Sequence, residues 1–295
     1  MFAAVQHDVR QETLVALLEA PAHEGCEESH RGSLGAKKLP RQTLRRTALS
    51  GEDIVTAAVL VIGDEILSGR TRDSNINYIA AHLTRVGIRL QEVRIVADDA
   101  TAIVAAVDAL RARYTYVFTT GGIGPTHDDI TADAIATALG VPIDHDPRAV
   151  ELLTTFFAKR GVEPTPARMR MARIPHGAEL ITNAVSIAPG FMIGNVIVLA
   201  GVPDVMQVML DDVTPRLRTG VKMLTATIKL FRAEGDIADI FATHQKTFPD
   251  VAMGSYPSFS EGRISTQLVL RATDSKLLES ARASLEAKLI ACGLV

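Results

Sequence analysis

From residue 57 onward the chain alternates short, unbroken apolar runs with segments of helical period, and few folds accommodate that pattern. An unbroken apolar run leaves its strand no polar face, so the strand must be covered on both sides, and the helices between successive runs supply the cover. The spacing predicts strands over 57–62, 89–96, 115–120 and 191–199. It predicts helices over 75–86, 101–113, 130–139, 147–159, 166–171 and 203–217. The first of these carries Ile76, Ile79, Ala80 and Leu83 on one face and stops at Gly87, and that over 130–139 stops at Gly140. The expected fold is α/β, a three-layer arrangement around a mostly parallel sheet.

After Gly220 the pattern changes to strict alternation at Leu224, Ala226, Ile228 and Leu230. A helix with Ile237, Ile240, Phe241 and Phe248 follows, then strands over 251–256 and 264–272 around a Ser-Glu-Gly turn, then a helix over 277–289. This reads as a small α+β unit of β-α-β-β-α order. The first fifty residues mix Gly, Pro, Ser, His and both charge signs with one short apolar stretch, and are expected to be a disordered tail. They lack a secretory h-region, and their acids argue against a transit peptide. The expected organisation is a tail over 1–52, an α/β domain over 53–221 and an accessory unit over 222–295.

Composition narrows the partners. Lys and Arg number 31 against 34 Asp and Glu, with four Tyr, nine Phe and no Trp, so nucleic acid finds neither a basic field nor stacking platforms. The small unit shares its order with RNA-binding KH modules but has no Gly-x-x-Gly clamp, which favours a packing or dimerisation module. Cys26 and Cys292 are too few for a disulfide framework or zinc site, and no apolar run approaches the ~18 residues of a membrane helix. A cytoplasmic protein acting on a small molecule, without nucleic acid or membrane as partner, is expected.

The most informative segment is Thr-Gly-Gly-Ile-Gly-Pro-Thr-His-Asp-Asp-Ile-Thr at 120–131, between a buried strand and a helix N-terminus. Ligands bind at this end of a parallel sheet. Gly121, Gly122 and Gly124 remove the β-carbons that would hold a ligand off the backbone, Thr120, Pro125 and Thr126 frame them, and the helix offers unpaired N–H groups. The segment is neither a P-loop nor a dinucleotide fingerprint. Asp128 and Asp129 would repel a phosphate held there unless a hard cation such as Mg²⁺ lies between. The other reading is that one of the two simply caps the following helix.

Gly63-Asp-Glu65-Ile-Leu-Ser-Gly follows the first strand and opens at the same edge, where Asn75 adds an amide. Asp98 and Asp99 follow the second strand and either cap the next helix or join the site. Gly190 in Ala-Pro-Gly, and Gly201 and Pro203 in Gly-Val-Pro, again put small residues where a backbone must approach something closely. His127 reads as a rim residue, and neither a Gly-x-Ser-x-Gly elbow nor metal-ligand histidine spacing appears, so covalent catalysis is unsupported.

Together these segments resemble the molybdopterin-binding domain family, most closely its CinA-like branch of competence/damage-inducible proteins. The carrying motifs are Gly-Asp-Glu-Ile-Leu-Ser-Gly at 63–69, the glycine-rich run at 120–131, Ala-Pro-Gly-Phe at 188–191 and Gly-Val-Pro at 201–203, spanning about 57–220. The small unit is similar to the one that follows in CinA-like proteins and in eukaryotic FAD synthetases. The resemblance implies a MogA-like fold, a pterin-phosphate or nucleotide-diphosphate ligand, and a homo-oligomer. Some relatives serve molybdenum cofactor synthesis; CinA-like ones hydrolyse ADP-ribose or FAD with Mg²⁺, Co²⁺ or K⁺. By the same resemblance Asp129 and Asp98 fall on functional aspartates, with Asp128 and Asp129 toward a metal. Two positions depart from the family: Val205 stands where it has a glutamate and Ala200 where it has a proline. The amidase domain of longer CinA proteins has no counterpart in the sequence, and its activity is not expected.

Overall fold

β1 (Val55–Ile62) is buried at all but one of its positions, as its unbroken apolar run requires. In the computed structural model, which describes residues 54–260 and 262–295, this strand lies inside a six-stranded sheet. The tail expected over 1–52 lies outside the described residues.

Along the chain follow α1 (Asp64–Leu67), α2 (Asn75–Arg85), β2 (Ile88–Val96), α3 (Ala100–Arg111), β3 (Tyr116–Thr120) and α4 (Thr131–Leu139). Next come β4 (Ile143–His145), α5 (Pro147–Lys159), α6 (Pro166–Met169), β5 (Arg173–Pro175) and β6 (Glu179–Ile181). Then β7 (Gly190–Ile193), β8 (Val196–Leu199) and α7 (Pro203–Val213) close this part of the chain. The sheet order is β2-β1-β3-β8-β7-β6; β4 pairs with β5 apart from it. β2, β1, β3 and β8 run parallel, β7 pairs antiparallel with β8, and β6 pairs antiparallel with β7.

Side chains of β1 alternate between two cores. Ala58, Leu60 and Ile62 pack with Ile103, Leu110, Ile135 and Leu153 from α3, α4 and α5. Ala57, Val59 and Val61 pack with Ile79, Leu83, Met206 and Leu210 from α2 and α7. Two helical layers on a mostly parallel sheet are therefore present, and each fully buried Leu or Ile contributes about 2 kcal/mol through burial alone.

One expectation needs correction. The run over 191–199 is not a single strand but a hairpin, β7 and β8, turning at Gly194, whose φ of 58° suits a residue without a β-carbon. The apolar content of both arms hid the reversal. The helices expected to reach 171 and 217 end as α-helix at Met169 and Val213 and continue as single 3₁₀ turns.

The C-terminal residues form β9 (Leu224–Leu230), α8 (Ala238–Thr247), β10 (Ala252–Ser260), β11 (Arg263–Ala272) and α9 (Ser275–Ala291). β10, β11 and β9 make an antiparallel sheet in that order, with the β-α-β-β-α succession read from the sequence. Its apolar residues, from Ile228 to Leu289, form a cluster of their own.

Candidate functional site

Because β2, β1, β3 and β8 are parallel neighbours, the loops leaving their C-terminal ends open side by side. Hydrogen bonds stitch them together. Gly63 N–H donates to the Val96 carbonyl at 3.1 Å, and Gly121 N–H to the Leu199 carbonyl at 3.3 Å. Asn75, at the start of α2, donates through Nδ2 to the Gly201 carbonyl at 2.8 Å. Its Oδ1 is buried without a partner, although the residue is only 5 % exposed.

The glycine loop fits only because of its missing side chains. Gly121 has φ 101°, and a β-carbon there would lie 2.1 Å from the Ile62 carbonyl oxygen of β1. At Gly122, φ 66°, it would lie 2.2 Å from Thr131 Oγ1. Thr131 holds the loop from the helix side: its hydroxyl donates to the Gly121 carbonyl at 2.9 Å and its N–H to the Gly122 carbonyl at 3.0 Å. Thr120 is buried at the end of β3, and Gly201 approaches Gly121 so closely that a β-carbon on it would sit 3.2 Å from the Gly121 Cα.

Helix ends around this loop lack N-cap side-chain bonds. α2, α4 and α7 begin after Ser74, Ile130 and Val202, none of which bonds back, whereas Asp99, Asp146 and Thr165 cap α3, α5 and α6. Asp73 takes the Ile76 N–H of α2, and Pro203 opens α7 without an N–H. The sequence alternative that Asp128 or Asp129 caps α4 is therefore not what the structure shows. Asp129 turns back within the loop, accepting from the Thr126 N–H at 2.7 Å and hydroxyl at 2.5 Å through Oδ2. Pro125, Thr126, His127 and Asp128 are exposed on the rim.

Asp98 and Asp99 divide the roles left open in the sequence. Asp99 caps α3 by accepting from the Ala102 N–H at 2.8 Å. Asp98 reaches across to accept from the Asp64 N–H at 2.9 Å and so fastens the loop after β1. Partial burial raises the Asp98 carboxyl above the usual aspartate range, and nearby Asp64, Glu65 and Asp128 push it the same way against the opposing Asp64 N–H bond. Asp64, Glu65 and Asp128 thus lie within electrostatic reach of Asp98, with Asp128 on the rim of the glycine loop. Among the described residues no three His, Cys, Asp or Glu side chains converge to hold an ion by themselves.

A small cavity borders the loop, lined by Gly122, Gly124, Asp129, Arg170, Arg173 and Phe191, among others. Arg173 pairs with Asp133 of α4, and Arg170 donates to the Asp129 carbonyl at 3.3 Å. Sequence reading passed over both arginines: the Arg-Met-Arg-Met-Ala-Arg run at 168–173 looks like the edge of an amphipathic helix, and only the 3₁₀ turn there brings them to the loop. Gly190 packs into the sheet, where a β-carbon would lie 2.4 Å from the Val198 carbonyl oxygen; its neighbour Pro189 lines the cavity.

Residues 58–219 match the model of the probable molybdopterin binding domain, and 222–294 that of the FAD synthase middle domain. A CinA-like protein of Citrifermentans bemidjiense is 36% identical over 246 residues, covering 79% of this chain and 58% of its own. A protein of Aeropyrum pernix is 32% identical over 255 residues, covering 80% of this chain and 95% of its own. The chain belongs to the CinA-like branch of the molybdopterin-binding domain family. It spans little more than half the length, 58%, of the first CinA-like relative. The crystal structure of a CinA protein of unknown function from Thermoplasma acidophilum superposes with a TM-score of 0.52 at 33% identity, over 56% of this chain and 98% of that one. Against the CinA-like pattern, Val205 is buried in the apolar cluster beneath α7, and the Ala200 N–H, absent in a proline, meets the Met209 sulfur at 3.3 Å.

Proposed function

We propose that this CinA-like chain hydrolyses the diphosphate linkage of a dinucleotide such as ADP-ribose or FAD with the help of a divalent cation. The observation that carries the reading is the juxtaposition of an anion seat and an acidic rim: Gly121–Gly124 with uncapped helix ends, and Asp64, Glu65 and Asp128 within electrostatic reach of Asp98. Backbone N–H groups and helix dipoles favour phosphate oxygens.

The acid side chains suit Mg²⁺ or Co²⁺, which take hard oxygen ligands and complete their shells with substrate phosphate and water. Asp128, and the Asp129 oxygen that Thr126 leaves free, would hold the ion with phosphate oxygens. When bound, it supplies charge neutralisation at the phosphate. The protein's own work is then positional. The glycine loop fixes the diphosphate, Asn75 and Gly201 border it, and Asp98 or Glu65 takes a proton from the water that attacks phosphorus in line. The P–O bond to the second phosphate breaks, and its oxygen leaves as the other monophosphate. A raised carboxyl makes Asp98 a better base than an ordinary aspartate. We place the accessory unit, 222–295, beside the chemistry without a part in it.

The test is release of AMP from ADP-ribose or FAD by the purified chain with Mg²⁺ or Co²⁺. Asp98→Asn keeps an oxygen for the Asp64 N–H and removes the charge, so turnover should fall by roughly a hundredfold or more with Tm level or higher. Undiminished turnover would remove Asp98 from the mechanism, and turnover that survives chelation would remove the metal. Val205 supports a second reading, a non-catalytic pterin or nucleotide carrier, since the family's glutamate is here an apolar core residue. Tight binding of the same ligands with no turnover under any divalent ion would decide for it.

A further inference from the structure

Four buried side-chain polar atoms among the described residues have no hydrogen-bond partner: Asn75 Oδ1, Thr119 Oγ1, Arg170 Nε and His244 Nδ1. Of these residues only Arg170 lines the cavity beside the glycine loop. Its position there is fixed from one side, by the Nη2 bond to the Asp129 carbonyl at 3.3 Å. Of the nearby carboxylates, Asp133 pairs with Arg173 and Asp129 accepts from Thr126 through Oδ2, and neither bonds the Arg170 Nε. A guanidinium N–H held out of water without an acceptor is a standing energetic cost, and the group is charged whatever the pH.

We propose that Arg170 binds an oxyanion of the ligand: a phosphate oxygen seated against Gly122 and Gly124 accepts from the Arg170 guanidinium. The flat guanidinium edge matches phosphate in geometry as well as charge. Ala132 and Asp133, in the uncapped first turn of α4, line the same cavity, so the helix end faces the same oxygen. Phe191 and Ile174 give it an apolar wall, where a charge pair is worth more than in water. The inference rests on the phosphate-binding reading above and adds to it the side chain that holds the phosphate.

Calorimetric titration of the full chain with ADP-ribose, and separately with inorganic pyrophosphate, tests it in wild type, Arg170→Met and Arg173→Met. Arg170→Met should weaken both ligands roughly tenfold or more while the Tm of the free protein stays level or rises, because a buried unmatched donor is gone. Arg173→Met loses its pair with Asp133 and should lower Tm more than affinity. Equal affinity of wild type and Arg170→Met overturns the Arg170 assignment and leaves the phosphate site standing. A Tm drop above about 5 °C in Arg170→Met would make the residue a structural strut and also overturn it. Wild type that binds neither probe sinks the phosphate reading and Arg170 with it.

Discussion

Gly121 and Asp98 show how much of the site single residues carry. Gly121 stands where a β-carbon would be 2.1 Å from the β1 backbone, with no side chain there to give way. Gly121→Ala should therefore cost about 3 kcal/mol and disturb the loop, seen as a lower denaturant midpoint together with lost ligand binding. Three glycines in four positions announced that constraint in the sequence. Asp98 was half legible: the pair Asp98–Asp99 read either as a helix cap or as part of the site, and the fold makes Asp99 the cap and ties Asp98 to the Asp64 N–H. Its raised carboxyl has a definite sign. The folded state holds the proton more tightly than the unfolded chain, so ionisation costs stability. The Asp98 contribution to stability should rise as pH falls through the raised value toward about 4, the ordinary aspartate value. Asp98→Asn should flatten that part of the stability profile, measured by Tm against pH, and should remove the acid limb of any pH–rate profile. A Tm difference between wild type and Asp98→Asn that stays constant across that window would show that the carboxyl is not perturbed. The arginines were not legible, because nothing in a basic run says which side chain a 3₁₀ turn will aim at a neighbouring loop.

At the scale of elements, the periodicity that located β1, β2 and β3 misled at 191–199, because a hairpin buried on both arms shows the same unbroken apolar run as one long strand. β4, β5 and β6, of three residues each, are too short to carry a period at all. The return of β7 matters to the site, since it brings Pro189 and Phe191 to the cavity wall. At the junction of β8 and α7 a backbone donor takes an unusual acceptor. The buried Ala200 N–H, which a proline at this position would lack, donates to the Met209 sulfur, two turns into α7, at 3.3 Å. Met209 is 1 % exposed and also packs in the core. Met209→Leu preserves volume closely but leaves that N–H unmatched, a cost of about 1 kcal/mol. In an Ala200→Pro background, where no N–H remains, the same substitution should be nearly neutral. A double-mutant cycle by urea unfolding measures the coupling, and strict additivity would mean the sulfur contact contributes nothing.

For the whole molecule, two buried histidines in different surroundings imply two responses to acid. His82 of α2 is buried, which lowers its pKa, with the Asp211 carboxylate 3.7 Å from its Nδ1 favouring the proton against that effect, whereas the small unit buries His244 completely, with Nε2 on the Ala281 carbonyl at 2.9 Å and Nδ1 unmatched. Burial lowers the His244 pKa, and the charge of Lys288 lowers it further against the pull of that carbonyl. The folded unit therefore resists the proton that the unfolded chain accepts near pH 6.5. Its contribution to stability is complete above that value and is lost as pH falls below it toward the depressed folded value. Nothing in the sequence distinguished His244 from the other histidines, because burial of this one depends on α8 and α9 closing over the three-stranded sheet. Hydrogen exchange followed by mass spectrometry at pH 7.5 and pH 5, corrected for intrinsic rates, should show protection falling in β9, β11 and α9 before it falls in β1, β3 and β8. His244→Phe gives up the Ala281 bond but keeps a ring against Phe248, whose centroid lies 4.9 Å away. That variant should start less protected at pH 7.5 and lose nothing more on acidification. Equal loss of protection in both sheets would mean that they unfold as one cooperative body, with His244 no longer the acid-sensitive point.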